Sequence, residues 1–286
     1  MAACLGPVKT YHRDTYSAID PTLPHLSTKG QNIVISGGGT GIGRETARSF
    51  AKSGASTIHI LGRRENKLLE TKQIVEKDYP NTQVYTYITD IVKRDELDAA
   101  FQAISSTVGL INVLIANAAY MADYKPFAEA DPKEWFNCFE VNVRGSFNFV
   151  TAFLPFAAQD ATIINISSGI VSLPLIPFES AYHASKIAEA KFYEYVACEH
   201  PNFVVINLHP ATFDSEMSAK TPVDTPGFAN DEAALPGDAT VWAVSEEAKF
   251  LNEKFIWAHW DVDELKALSH DIETTNILTV GLLGAQ

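Results

Sequence analysis

The sequence is short of positive charge, of cysteine and of long apolar runs. It carries 22 basic residues against 35 acidic ones, a formal charge of −13. Phosphate backbones are bound by clustered basic side chains, so nucleic acid is excluded as an expected partner. Cys4, Cys138 and Cys198 are few, odd in number and widely spaced. They form neither a metal-ligand pattern nor a disulfide framework, which points to a reducing, cytoplasmic setting with no metal site. No apolar stretch is long enough to span a bilayer, and the first thirty residues lack the apolar core of a secretory signal. A membrane is therefore not expected as a partner.

What is present is enough apolar material, 46% of 286 residues, for a sizeable core. Residues 1–30 read as an arm broken by Pro7, Pro21 and Pro24, with Leu23 and Leu26 available to dock it. From Gln31 onward, short apolar runs alternate with stretches of helical period. The runs are Asn32–Ser36, Thr57–Leu61, Gln83–Ile88, Val113–Ala116, Thr162–Ser167, Val204–Leu208 and Phe255–His259. The helical stretches lie near Arg44–Ser53, Glu65–Asp78, Arg94–Val108, Pro132–Ala157, Ala181–His200 and Ala239–Asn252. Continuous apolar strands between helices predict an α/β fold of one domain, a doubly wound, Rossmann-type parallel sheet of about seven strands over residues 31–286. Its ligand crevice lies at the carboxyl ends of the strands. Residues 212–237 are rich in proline and glycine and follow a strand end, as a substrate lid or a solvated excursion would.

The run Ser36-Gly-Gly-Gly-Thr-Gly-Ile-Gly43 stands behind the first strand and opens the first helix. In that context glycines let a pyrophosphate approach backbone N–H groups at a helix N-terminus. The spacing of Gly37, Gly41 and Gly43 is Gly-x-x-x-Gly-x-Gly. The second strand ends at neutral Gly62, followed by Arg63 and Arg64. An acidic residue there would select NAD; two guanidinium groups suit the extra phosphate of NADP(H). The same arginines would also fit the solvated start of a helix. Asp90, past the third strand, is placed to hydrogen-bond adenine, and an aspartate capping the next helix would have the same pattern.

Tyr182 and Lys186, four residues apart, share one helix face. They follow Ser168, which ends a predicted strand, and Asn142, which sits inside a predicted helix. Here the chain resembles the short-chain dehydrogenase/reductase family over about Gln31 to Trp260. Residues 36–43 are similar to its cofactor loop and Ala116-Asn-Ala-Ala119 to its Asn-Asn-Ala-Gly segment. Glu140–Val143 is similar to the stretch around its catalytic asparagine, and Ser168, Tyr182 and Lys186 to the rest of its tetrad. His209-Pro-Ala-Thr212 resembles its Pro-Gly segment. Ser36, Ala116, Ala119 and Ala211 depart from the family pattern.

The resemblance implies hydride transfer between nicotinamide and a carbonyl or carbinol carbon. Ser168 would hold the substrate oxygen, Tyr182 exchange the proton, Lys186 favour the phenolate, and Asn142 position a water. Ser167 competes with Ser168, and strand alternation lets only one of them face the crevice. The cofactor contacts implied are Gly37, Gly39, Thr40, Gly41, Ile42, Arg63, Arg64, Asp90, Asn117, Tyr182, Lys186, Pro210, Thr212 and Phe213. His183 points about 100° away from Tyr182 and reads as packing. The apolar stretch Ile170–Phe178 suggests a bulky lipophilic or aromatic small-molecule substrate. The aromatic helix Pro132–Ala157 suits core or subunit contact, hence a homodimer or homotetramer. The alternative is a non-redox cyclase, isomerase or dehydratase that retains NADP(H), since fold alone does not set the reaction.

Overall fold

A computed structural model of the chain describes residues 6–212, 215–221 and 231–282. Seven parallel strands form one sheet in the order β3-β2-β1-β4-β5-β6-β7. The strands are β1 (Asn32–Ser36), β2 (Thr57–Gly62), β3 (Gln83–Ile88), β4 (Ile111–Ala116), β5 (Ala157–Ile166), β6 (Val204–His209) and β7 (Phe255–Trp257). The order reverses between β1 and β4, so the crevice opens at their carboxyl ends. The expected doubly wound sheet is thus what forms.

Strand alternation divides the core in two. Ile33, Ile35, Val113 and Ile115 face α1 (Gly41–Lys52), α2 (Glu65–Asp78) and α7 (Ala234–Ala243), through Phe50, Leu68 and Trp242. Val34, Leu114, Ile163 and Val205 face α3 (Arg94–Val108), α5 (Ser146–Phe153) and α6 (Ser180–Glu199), through Phe101, Phe149 and Tyr193. A sheet buried on both faces explains why its strands read as near-continuous apolar runs.

Three elements differ from expectation. The helix predicted over Pro132–Ala157 is α4 (Pro132–Phe139), then a π-helical turn at Glu140–Gly145, then α5, and Ala157 already begins β5. Helical period over a window this long does not reveal a single i→i+5 turn, which carries no residue-type signature of its own. The last predicted helix starts at Ala234 and gives way to a 3₁₀ stretch, Glu246–Leu251. Leu235, Pro236 and Gly237 are consequently buried in α7 rather than part of a lid. Residues 213–214 and 222–230 of that segment lie outside the described residues.

The arm packs onto the body. Val8, Ile19 and Leu26 join the α1-side core with Trp260, Val262 and Leu265. Tyr11 bridges Trp260, and the His12 N–H donates to the His259 carbonyl at 2.7 Å.

Candidate active site

The glycine turn sits where β1 delivers it. Gly37 and Gly41 take φ of +68° and +54°, the left-handed region that side chains disfavour. The turn is tied to β4 through two side chains. The Ser36 hydroxyl accepts from the N–H groups of Asn117 (2.9 Å) and Ala118 (3.0 Å). The Asn117 amide donates to the Ser36 carbonyl at 2.9 Å and to that of Gly37 at 3.3 Å. Ser36 therefore does what its hydroxyl predicts, and the Asn117 side chain is spent on holding the loop. Arg44, which sequence reasoning passed over, donates to the Gly39 carbonyl at 2.8 Å and pairs with Glu70 at 2.9 Å.

Beyond the loop, Thr40 precedes α1 in extended backbone, and Ile42 packs against the core. The first N–H groups of a helix lack intrahelical partners and favour anions. Arg63 is exposed; Arg64 pairs with Glu216 at 2.9 Å and reaches the Thr40 hydroxyl at 3.4 Å. Asp90 Oδ1 accepts from the Val92 N–H at 3.1 Å, a local turn, and the next helix is preceded by Lys93 rather than capped by Asp90. Glycines that leave no room for a Cβ, helix N–H groups and a cation beside them fit a dinucleotide phosphate.

The reactive groups gather at the ends of β5 and β6. Ser168 lies beside Tyr182, in the first turn of α6, near enough for its hydroxyl to favour the phenolate. Ser167 is buried and its hydroxyl has no hydrogen-bond partner, so Ser168 is the serine of the pair that reaches Tyr182. The Asn142 side chain, fully buried in the π turn, accepts from the Tyr120 N–H (2.7 Å) and donates to the Tyr120 carbonyl (2.9 Å) and the Ser185 hydroxyl (2.9 Å). It joins the β4 loop to α6, and the three bonds leave its amide occupied with protein groups. His183 is buried, as its helix angle predicts. Ala211 keeps a left-handed φ of +82° although it is not glycine. Thr212 is held at both backbone groups by Asp231, its N–H at 3.0 Å and its carbonyl at 2.7 Å. Asp231 also receives His259 (2.8 Å) and Arg13 (3.2 Å). Pro210 is buried beside Ala211, and Phe213 lies outside the described residues.

Lys186 departs most from expectation. It is 1% exposed, donates to the Ile166 carbonyl at 3.1 Å and pairs with Glu189 at 2.6 Å. Burial works against its ammonium, but Glu189 holds the pKa above its usual value. Burial likewise pushes the Tyr182 phenol up, against the opposite pulls of Lys186 and Ser168. Lys186 was expected to favour the phenolate, and it does pull that way, but burial outweighs it.

A cavity adjoins Tyr182, walled by Trp135, Phe178, Glu134 and Glu179. It is more acidic than the apolar stretch Ile170–Phe178 suggested. Phe178 has φ +72°, and this strained step precedes Glu179, the residue before α6. The Glu179 carboxyl accepts from the Tyr124 hydroxyl, and burial raises its pKa to about 7.

A Rossmann-type sheet with a glycine turn at one strand end and a serine–tyrosine–lysine cluster at another defines a nucleotide-dependent enzyme class. The family model described as short chain dehydrogenase matches residues 31–225. The chain belongs to the short-chain dehydrogenase/reductase family. It is similar to the short chain dehydrogenase/reductase AacuD of Aspergillus aculeatus, with 32% identity covering 98% of both chains. Among solved structures, it matches the oxidoreductase yciK from Escherichia coli with a TM-score of 0.75 and 23% identity, over 82% of this chain and 97% of that one. It also matches a gluconate 5-dehydrogenase from Burkholderia cenocepacia solved with NADP and tartrate, with a TM-score of 0.73 and 23% identity, over 84% and 96%. Both structures share its fold.

Proposed function

We propose that this chain is an NADP(H)-dependent oxidoreductase acting on a carbonyl or alcohol group of a bulky lipophilic or aromatic small molecule. The observation that carries the reading is the convergence of Ser168, Tyr182 and Lys186, with the Lys186 ammonium 6.0 Å from the centre of the Tyr182 ring. Gly37, Gly39, Thr40, Gly41 and Ile42 would hold the diphosphate, Arg63 and Arg64 the extra phosphate, and Lys186 and Thr212 the nicotinamide end. The bound cofactor supplies or accepts the reducing equivalent. Ser168 orients the substrate oxygen with its hydroxyl. Tyr182 gives that oxygen a proton in reduction and takes it back in oxidation. Lys186 stabilises the phenolate left behind. Trp135 and Phe178 offer aromatic contact to the substrate. The gluconate 5-dehydrogenase is described with NADP, which supports the cofactor choice by analogy alone.

Exposed Phe136, Phe147 and Tyr195, on α4, α5 and α6, support a homo-oligomer joined through this face, which size-exclusion chromatography tests. The activity is tested by following NADPH absorbance against aromatic and polycyclic ketones, with Tyr182→Phe as control. Consumption lost in the variant supports the reading. Substrate turnover that survives Tyr182→Phe without cofactor consumption overturns it in favour of non-redox chemistry.

A further inference from the structure

Lys186 and Glu189 form an ion pair in which both side chains are 1% exposed. Such a pair is costly to desolvate unless its remaining donors and acceptors are satisfied. Here they are. The Lys186 ammonium also meets the Ile166 carbonyl, and Glu189 Oε1 accepts from the Ser146 hydroxyl at 2.9 Å. The contacts suit an ionised carboxylate facing an ammonium, with the pair anchored on β5 and on α5. An ammonium has three donors. Two are bound within the protein, which leaves one for a ligand.

We propose that Glu189 is a positioning residue of the Tyr182 site: it anchors the Lys186 ammonium and offsets its charge, so that Tyr182 holds its proton more firmly than an unpaired lysine would allow. This rests on the oxidoreductase reading for its role in turnover. The ionisable and polar groups around the cluster are known. Tyr182 faces Ser168, Lys186, Glu189 and Glu179. Lys186 faces Glu189, Tyr182 and Cys138 of α4. Glu189 faces Lys186 and Ser146, and raises Tyr193 one turn on. Glu189 is thus the negative charge in direct contact with the lysine. Its effect on Tyr182 opposes that of Lys186. The device adds to burial in holding the phenol's proton while leaving the lysine charged for the moment a phenolate forms.

The test needs no substrate. Tyr182 ionisation is read as the difference in ultraviolet phenolate absorbance between the protein and Tyr182→Phe, titrated with pH. Removing a negative charge eases the loss of any neighbouring proton, so Glu189→Gln is expected to lower the Tyr182 midpoint by about one pH unit, a tenfold change in its dissociation constant. Glu189→Asp, which keeps the charge, is expected to restore most of the original midpoint. Glu189→Met makes the same measurement without a new buried amide if Glu189→Gln does not fold. An unchanged or raised midpoint in the neutral variants overturns the proposal and leaves the oxidoreductase reading standing. Cofactor consumption surviving in Tyr182→Phe would instead remove the proton-donor role of Tyr182 and leave the titration valid.

Discussion

Gly43 lies so close to Gly37 that a Cβ on Gly43 would stand 2.4 Å from the Gly37 carbonyl oxygen and 2.7 Å from the Asn117 amide nitrogen. One helix residue therefore packs against the turn it opens. Gly43→Ala is expected to displace the turn, at a cost of about 1–3 kcal/mol for overpacking. Thermal denaturation reads the loss of stability, and nucleotide titration reads a loss of affinity. A variant with unchanged affinity would show that the turn is not the phosphate cradle.

Arg64 and Glu216 form a solvent-exposed pair, with side chains 51% and 63% exposed. Such pairs contribute little, so an incoming phosphate has only a weak partner to displace. NADPH is expected to bind at least about tenfold more tightly than NADH, about 1.4 kcal/mol. The double substitution Arg63→Ser, Arg64→Ser is expected to bring the two affinities together. Equal affinities in the unaltered protein would remove this role from both arginines.

Ala211 pays a steric cost at φ +82° that glycine would not. Ala211→Gly is expected to stabilise the fold by about 0.5–1 kcal/mol, less whatever its buried methyl contributes. A melting curve shifted upward by about 2 °C would agree. A lowered melting temperature would mean that the methyl outweighs the strain.

Glu179 keeps its proton in the folded chain up to about pH 7, whereas its ordinary value is 4.5. Between those values the folded state binds the extra proton, so this group's contribution to stability falls as pH rises, then levels off above 7. Glu179→Gln is expected to gain stability over the parent on going from pH 4 to pH 8, by an amount on the order of 2–3 kcal/mol at most. Denaturant unfolding at the two pH values measures it. A difference independent of pH would mean that Glu179 titrates in the folded chain at its ordinary value.

The sheet was readable because every strand but the edge strand β3 is largely buried on both faces, which leaves a short apolar run between polar helices. The glycine turn was readable because its backbone demands are local. Tyr182 and Lys186 share a helix face as their spacing implied, whereas the choice of Ser168 over Ser167 came from the family resemblance. Glu189 was missed, although Lys186 and Glu189 are three residues apart on one helix face, because most such pairs are solvated. Its burial depends on Ser146, 43 positions away. The π turn at Asn142 was equally hidden, since the bonds of that side chain go to Tyr120 and Ser185 rather than to its own helix. Asp90 illustrates the opposite limit: its local pattern suited a helix cap, whereas its Oδ1 bonds Val92 in a turn and the helix begins only at Arg94.

The arm bears on how the chain is made. Val8, Ile19 and Leu26 share a buried cluster with Trp260, Val262 and Leu265, and His12 finds His259. During translation the arm leaves the ribosome long before those partners exist. The sheet itself waits too, since β1 acquires its second neighbour only when β4 emerges. The nascent arm must stay soluble, undocked or chaperoned, until almost the whole polypeptide has been synthesised. Its proline-broken, polar character suits that long exposure.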